Sequence, residues 1–177
     1  MTSPVVVDTN VLLVAERQHP AASPQCVSDC ACRLNALKAS GGVVIDDAFR
    51  VLSEYQHKID PNRGRGVGAA FLKWLLQNQA NARKVERVSL TETAQDQFRE
   101  FPDPALEPSF DPPDRKFPAV ANAHPRKPPI LQAVDCKWID WWPALKQAGI
   151  RVEFVCPDDI CTYYRSKFPE KGEPRLP

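Results

Sequence analysis

The sequence predicts an α/β domain, a three-layer α/β/α sandwich built around a central, mainly parallel sheet. Short apolar segments rich in valine and isoleucine are typical of strands that are buried on both faces. These segments alternate with stretches of helical periodicity, which is typical of crossover connections between parallel strands. The strongest segments are residues 4–7, 43–45, 130–134 and 152–155, and a weaker one covers residues 85–90.

Size and charge limit the domain organisation and the kind of partner. The chain has 177 residues, 43% of them hydrophobic, which suits one domain over residues 1–168. Residues 169–177 are charged and proline-rich, and we expect them to form a mobile tail. The net charge of +1 excludes a strong general attraction to nucleic acid, so any polyanion must bind a local basic surface.

The N-terminal sequence and the hydropathy pattern favour a cytoplasmic protein. No apolar run reaches the length of about 18 residues that a membrane-spanning helix needs. The opening residues MTSPVVVDTN lack the basic flank and the cleavage site of a signal peptide. We therefore expect a cytoplasmic location and no membrane contact.

Helix signals accompany the predicted strands. Ser23 followed by Pro24 suits a helix start, and Gly41 suits its end. Asp46 or Asp47 is suited to cap the next helix, although both also lie at a strand end and are reserve candidates for a site. Further helices are predicted over residues 69–79, 91–101, 114–123 and 158–168 and after residue 135.

The six cysteines are expected to be reduced, because a domain of this size has a core that does not depend on disulfides. Cys26, Cys30 and Cys32 lie close together, but they lack the paired C-x-x-C spacing of a zinc site and have no nearby histidine. The spacing favours a helix whose thiols pack inward as small apolar groups.

Two aspartates are predicted at the ends of parallel strands. Asp8 ends the first strand, and Asp135 ends the run PILQAVD. The crevice beyond the C-terminal ends of such strands is where open α/β sheets bind ligands. Thr9 and Asn10 offer a hydroxyl and an amide that can orient Asp8, a metal-bound water or a phosphate oxygen. Taken alone, these three residues suit a helix cap equally well.

Two further carboxylates can reach the same crevice. Asp114 follows a proline-rich break at the start of a predicted helix, and Glu54 projects from the middle of another. Hard divalent ions such as Mg²⁺ or Mn²⁺ take oxygen ligands, and their charge stabilises carboxylates that repel one another. The chemistry that suits such a site is metal-assisted hydrolysis of a phosphodiester.

Four segments follow one another along the chain: VVVDTNVLL, VVIDDAFRVLSEY, DRKFPAVANAH and PILQAVDCKWIDW. In order and spacing they resemble the motifs of PIN-domain nucleases, over residues 4 to 156. The resemblance implies that a set of four acids binds Mg²⁺ or Mn²⁺ and cleaves RNA, or less often structured DNA. It also implies that Asn10 supports the first of them. The four acids are Asp8, Glu54, Asp114 and Asp135.

Parts of the resemblance leave alternatives open. Ala133 stands where the family usually has a threonine two positions before the aspartate, so a supporting hydroxyl is absent. Asp140 is an alternative or an addition to Asp135. In the third segment Asp111 is an alternative to Asp114, which we prefer because a helix begins with it.

A basic, glycine-rich segment, NRGRGVG, is a candidate for binding a phosphate backbone. It contains Arg63 and Arg65, and guanidinium groups match the geometry of phosphates. A solvated turn explains the same residues equally well. Arg115 and Lys116, which follow Asp114, are expected to extend this basic surface.

The function expected from these residues is that of a metal-dependent ribonuclease. The resemblance extends this expectation to the toxin of a toxin–antitoxin or defence system, with an inhibitory partner protein and a homodimeric state. A DNA endonuclease that uses the same ions is one alternative. A catalytically silent scaffold that binds RNA or protein is another, although retention of all four acids argues against it.

Overall fold

A computed structural model describes residues 3–177, which form a mixed α/β fold. None of the helices in this part of the chain combines the length and apolar content needed to cross a membrane. The helices are α1 (Thr9–Ala15), α2 (Pro24–Ser40), α3 (Arg50–Lys58), α4 (Val67–Asn78), α5 (Lys116–Ala123), α6 (Lys137–Gln147) and α7 (Pro157–Lys167). The strands are β1 (Val6–Val7), β2 (Val43–Asp46), β3 (Val85–Val88), β4 (Glu92–Ala94), β5 (Gln97–Phe98), β6 (Ile130–Gln132) and β7 (Val152–Phe154).

Five strands run parallel in the order β3-β2-β1-β6-β7. Strands β1, β6 and β7 form one sheet, and β2 and β3 form another. A parallel bridge between Val5 and Val43 joins the two sheets. The Val5 N–H donates to the Gly42 carbonyl oxygen at 2.8 Å, and the Val5 carbonyl accepts from the Val44 N–H at 2.9 Å. The α/β class and the positions of the predicted strands are confirmed, and all five strands end at the same edge.

Burial on both faces accounts for the composition of these strands. Val6, Val7, Ile45 and Leu131 have no exposed surface. Removing each such side chain from water contributes about 1.5 to 3 kcal/mol. Helix α1 is also buried along most of its length, because it packs against α2 and α4. The first residues after β1 therefore sit in a solvent-poor environment.

Two predicted helix caps are confirmed. The Ser23 hydroxyl oxygen accepts a hydrogen bond from the Cys26 N–H at 3.2 Å, at the start of α2. The Asp46 carboxylate accepts hydrogen bonds from the N–H groups of Arg50 and Val51, both at 2.9 Å. Phe49 is the N-cap residue of α3, and the Asp46 carboxylate caps the helix from the end of β2 by accepting these two N–H groups.

The helix predicted over residues 91–101 is wrong, because this segment forms the antiparallel hairpin β4–β5. Asp96, at the turn, has a φ of 53°, a left-handed conformation that interrupts a helix. The Phe98 N–H donates to the buried carboxylate of Glu107 at 2.8 Å. A contact with a later segment thus decides the local structure. The spacing of Phe98 and Phe101, which suggests a helix, instead buries both rings in and just after β5.

The expectation that all six cysteines are reduced is wrong for one pair. Cys26 on α2 and Cys156 just before α7 form a disulfide. Cys30 is buried beside them, and burial raises the pKa of its thiol to about 12. Cys32 is exposed on the same helix. The inward packing predicted for the clustered cysteines thus holds for two of the three.

Glycines let α4 pack closely against α1. A Cβ atom built at Gly68 would lie 2.3 Å from the Leu12 carbonyl oxygen. The Glu16 carboxylate accepts hydrogen bonds from the N–H groups of Gly66 at 2.9 Å and Ala69 at 2.7 Å. This carboxylate fills the anion site that a helix N-terminus offers. The side chain of Glu16 thus occupies the position at which the glycine-rich segment is expected to bind a phosphate.

Replacing Gly68 by alanine is expected to destabilise the fold by about 2 to 3 kcal/mol, because the added methyl group overlaps the Leu12 carbonyl. Backbone atoms, which cannot rotate away like a side chain, must shift to admit it. Urea denaturation followed by tryptophan fluorescence measures the effect. Gly172→Ala is the matched control, because a Cβ at Gly172 has no neighbour within 4 Å. Equal midpoints for the two variants would contradict the close packing.

The C-terminal tail contacts the domain. Lys171 forms an ion pair with Asp140 at 2.5 Å. The indole N–H of Trp142 donates to the Arg175 carbonyl oxygen at 2.8 Å. These contacts give residues 169–177 a defined position against α6, and the mobility of the tail in solution stays a prediction.

Candidate active site

Asp8 lies directly after β1 and is also the N-cap of α1. Its Oδ1 accepts a hydrogen bond from the Asn10 N–H at 2.8 Å. The residue is only 3% exposed, and its Oδ2 is buried with no hydrogen-bond partner among residues 3–177. The cap role suggested by the sequence is therefore confirmed for one oxygen, and the other oxygen faces no donor, which leaves it free for the predicted metal site.

Glu54 lies on α3, and its side chain reaches the start of α1. The Thr9 hydroxyl donates to Glu54 Oε1 at 2.5 Å, and Glu54 Oε2 forms an ion pair with Lys116 Nζ. Thr9 is therefore a positioning residue for Glu54. The place predicted for Lys116 on a basic surface is wrong, because this residue is buried and its ammonium group compensates a carboxylate in the interior.

Asp114 ends the short 3-10 turn Pro112–Asp114, just before α5. The pKa of its carboxyl is raised from 3.8 to about 7, because burial and then the negative charge of Asp135 favour the neutral form. Lys137 Nζ, 3.9 Å from an Asp114 oxygen, acts in the opposite direction. Asp111, the alternative, is half-exposed and pairs with Lys137. Asp114 is thus the aspartate of this segment that is buried and lies under the influence of the other acids.

Asp135 follows β6, and two polar side chains hold its loop. Asn10 Oδ1 accepts a hydrogen bond from the Val134 N–H at 2.7 Å, which ties the start of α1 to this loop. Gln132 Oε1 accepts hydrogen bonds from the N–H groups of Ala133 at 2.8 Å and Asp135 at 3.3 Å. Asn10 is therefore a tether between the segments that carry the two strand-end aspartates.

The four predicted acids influence one another electrostatically. The pKa of Asp8 lies well above its ordinary value, because of burial first and then the charges of Asp114, Asp135 and Glu54. The hydrogen bond from Asn10 acts in the opposite direction. The structure thus brings the four carboxylates into one neighbourhood, which we call the acid group. In the described residues, no three side chains of the acid group have oxygen atoms within 4.8 Å of one another.

Sequence reasoning missed Tyr55, Gln132 and Lys137. The Tyr55 hydroxyl donates to the Val7 carbonyl oxygen and so holds α3 against the end of β1. Burial, and then the charge of Asp8, raise the pKa of Tyr55, which therefore stays a neutral donor. A glutamine inside the apolar run PILQAV was a usable signal for Gln132. In the sequence, Tyr55 looks like an ordinary core residue and Lys137 like an ordinary surface residue. Their roles arise from tertiary contacts, which the sequence pattern does not show.

Asp140 lies apart from the acid group. Its carboxylate accepts a hydrogen bond from the Tyr164 hydroxyl at 2.6 Å and pairs with Lys171. The contacts of Asp140 do not support the alternative that it replaces or assists Asp135, because, one turn into α6, its side chain contacts α7 and the tail instead.

The predicted basic residues are dispersed. Arg63 is almost fully exposed and pairs with Asp60 at 3.7 Å. Arg65 lines a surface cavity of about 740 Å³ between α2 and α4. The segment that carries Arg63 and Arg65 packs at the C-terminal end of α1. This end lies about 10 Å from Asp8, because the seven residues of α1 span that length. Arg115 is half-buried, and its Nε–H donates to a backbone carbonyl at 3.1 Å. These arginines do not form one continuous patch with the acid group.

Replacing Asn10 by alanine is expected to destabilise the fold by about 2 kcal/mol, because the buried Val134 N–H loses its acceptor. The amide of Val134 should also exchange with solvent faster, which hydrogen exchange monitored by NMR measures residue by residue. Asn62→Ala is a suitable control, because Asn62 is exposed. Unchanged protection of the Val134 amide would show that the tether is dispensable.

Compared with known proteins, the chain has no significant match to a family model, to a curated protein or to a solved structure.

Proposed function

We propose that this chain is a divalent-metal-dependent nuclease, and specifically a ribonuclease, whose elements form a three-layer α/β/α sandwich of the PIN type. The observation that carries the proposal is the convergence of four carboxylates from separate segments at the C-terminal edge of parallel strands. The sequence segments that resemble PIN-domain nucleases support the same residues. The four carboxylates are those of Asp8, Glu54, Asp114 and Asp135.

The acid group fits a hard cation such as Mg²⁺ or Mn²⁺. All four side chains offer oxygen ligands, which these ions prefer. Asp8 Oδ2 is buried without a donor among residues 3–177, and such an oxygen costs free energy unless a cation or a proton is bound. Burial, and then repulsion between the acids, raise the pKa of Asp8 and Asp114, and the positive charge of a bound cation would compensate both effects.

The residues of the chain hold the reacting groups in place. When bound, the metal supplies an activated water and stabilises the charge on the leaving oxygen. Thr9 orients Glu54 through a 2.5 Å hydrogen bond, and Asn10 fixes the loop of Asp135. The side chain of Lys137 is 34% exposed, and it offers a cation to a phosphate of the substrate.

RNA is the proposed substrate because the family resemblance favours it over DNA. The two substrates require the same metal chemistry and differ at the 2′-hydroxyl group. The same resemblance underlies three further proposals: a cytoplasmic location, an inhibitory partner protein as in toxin–antitoxin or defence systems, and a homodimer.

A silent scaffold that binds RNA or protein is the second candidate. Two ion pairs favour it, because Lys116–Glu54 and Lys137–Asp111 neutralise carboxylates in and beside the acid group without a metal. In an active nuclease the metal must compete with both ammonium groups. Metal affinity therefore discriminates between the nuclease and the scaffold.

The test is cleavage of end-labelled single-stranded RNA and of DNA of matched sequence, with Mn²⁺ and with a chelator. We expect Mn²⁺-dependent cutting of RNA that exceeds cutting of DNA, together with calorimetric binding of Mn²⁺. Cutting of DNA alone would support the DNA endonuclease. A folded protein that binds no Mn²⁺ and leaves both substrates intact would replace the nuclease by the scaffold.

A further inference from the structure

Three cysteine sulfurs meet at the junction between α2 and α7, apart from the acid group. Cys26 and Cys30 lie on α2, and Cys156 immediately precedes α7. All three residues are buried, and their Sγ atoms lie within 4.8 Å of one another. Cys26 and Cys156 share a disulfide, and the Cys30 Sγ is 3.7 Å from the Cys156 Sγ. If the Cys30 thiol served only to pack in the core, it would not need to lie this close to the two sulfurs of the disulfide.

We propose that these three cysteines bind one zinc ion when the disulfide is reduced. A dithiol reductant supplies two electrons and two protons, and converts the Cys26–Cys156 disulfide into two thiols while it becomes a disulfide itself. Zn²⁺ then displaces one proton from each of the three thiols and forms three Zn–S bonds. The disulfide and the zinc ion are therefore mutually exclusive.

The spacing of the sulfurs matches a thiolate zinc site. Zn–S bonds of about 2.3 Å in tetrahedral geometry place the sulfurs about 3.8 Å apart. The Cys30–Cys156 distance of 3.7 Å already has this value. Cys26 and Cys30 are four residues apart on one helix, so both side chains project from the same face.

Two helix N-termini lie at the site and offset part of its negative charge, against the nearby carboxylates of Asp29 and Asp159. Three thiolates and Zn²⁺ carry one net negative charge, which is expensive in a buried place unless positive partial charges are near. Cys26 is the third residue of α2, and Cys156 is the N-cap of α7. The N-terminal ends of both helices therefore direct their dipoles at the sulfurs. Soft sulfur ligands favour Zn²⁺ over Mg²⁺ or Mn²⁺, which separates this site chemically from the acid group.

The fourth position of the zinc falls to water. The neighbouring carboxylate of Asp159 is already engaged, because it accepts hydrogen bonds from the Ser23 N–H at 2.5 Å and the Ser23 hydroxyl at 3.0 Å. Three protein ligands and one water form a known type of zinc coordination. The consequence is that α2 and α7 are joined by a covalent bond under oxidising conditions and by a metal under reducing conditions.

Cobalt substitution of the reduced full-length protein tests the site. Co²⁺ bound by thiolates gives a sulfur-to-metal charge-transfer band in the near ultraviolet, which oxygen ligands such as the acid group do not produce. We expect one equivalent of Co²⁺ to give this band in reduced protein, Zn²⁺ to abolish it, and oxidised protein to lack it. Absence of the band in reduced, folded protein would overturn the proposal.

Two serine variants locate the metal. Cys30→Ser keeps the disulfide pair, so its fold can be verified before reduction. After reduction, this variant should bind Co²⁺ at least about 100-fold more weakly than the parent. Mutation of a residue that only hydrogen-bonds to a metal ligand already weakens metal binding about 10 to 100-fold, and loss of a ligand should cost at least as much. Cys32→Ser is the matched control, because Cys32 is exposed on the same helix, and it should bind as the parent does. An undiminished band in Cys30→Ser, or a lost band in Cys32→Ser, would place the metal elsewhere and refute the assignment.

Discussion

Replacing Asp8 by asparagine is expected to reduce Mn²⁺-dependent RNA cleavage at least about 1000-fold, because a ligand charge at the centre of the acid group is lost. The asparagine keeps an oxygen for the Asn10 N–H, so the cap of α1 survives. The same change should stabilise the metal-free protein at pH 8 by about 1 to 3 kcal/mol, because the buried Asp8 carboxyl must either carry a charge beside other acids or take up a proton on folding, and asparagine does neither. Loss of activity with a gain in stability is the signature of a metal ligand rather than of a structural residue.

Asp140→Asn is the matched control for Asp8→Asn. Asp140 is also an aspartate in the fourth motif segment, but its carboxylate contacts Tyr164 and Lys171 rather than the acid group. Cleavage by this variant should stay within about twofold of the parent, since no group near the acids changes. Rates from single-turnover assays and midpoints from urea denaturation compare the two variants. If Asp8→Asn retained most of the activity, the assignment of the metal site would fail.

The metal-free protein is expected to lose stability as the pH rises from 5 to 8. The pKa of Asp114 is about 7 in the folded state and 3.8 as its ordinary value. Between these values the folded protein holds a proton that the unfolded chain has released, so each increase in pH favours unfolding. Between pH 5 and pH 8 this change corresponds to about 3 kcal/mol, and Asp8, whose pKa is also raised, acts in the same direction.

Urea denaturation in chelator at pH 5 and pH 8 measures this dependence. Asp114→Asn should flatten it and should be more stable than the parent at pH 8. The comparison between variants also removes the contribution of His19, whose pKa is lowered by burial and which acts in the opposite direction. Addition of Mn²⁺ at pH 8 should restore stability to the parent. If the free energy of unfolding of the parent rose between pH 5 and pH 8 by as much as that of Asp114→Asn, the result would contradict the raised pKa of Asp114 within the acid group.

The parallel strands were predictable because their signal is local. A strand buried on both faces needs consecutive apolar residues, and segments such as 43–45 and 130–134 show this without reference to the rest of the chain. The hairpin over β4 and β5 was not predictable in the same way. Its structure depends on the Glu107 carboxylate, which comes from a later segment. The Cys26–Cys156 disulfide likewise joins positions 130 residues apart, and no local pattern reports such a contact.

Three acids of the candidate site were accessible to sequence reasoning because they lie at strand ends or near a helix start, and Glu54 was found through the family resemblance of its helix. Their electrostatic partners were not. Lys116 looks like one member of a basic surface, yet tertiary packing turns it inward onto Glu54. The glycines of NRGRGVG look like a phosphate loop, whereas Gly68 serves the contact with Leu12 and the amide of Gly66 binds Glu16. In both cases the residue types were informative, but the partner was set by the fold.

The hydrogen bond from the Val134 N–H to Asn10 has a mechanical consequence. It joins the segment after β1 to the segment after β6, so the movements of Asp8 and Asp135 are coupled. A protein that binds the backbone of residues 133–134 and pulls on this loop would strain the hydrogen bond to Asn10, and so act on the segment that carries Asp8. Under the proposed function, such a partner would inhibit cleavage without entering the space between the acids.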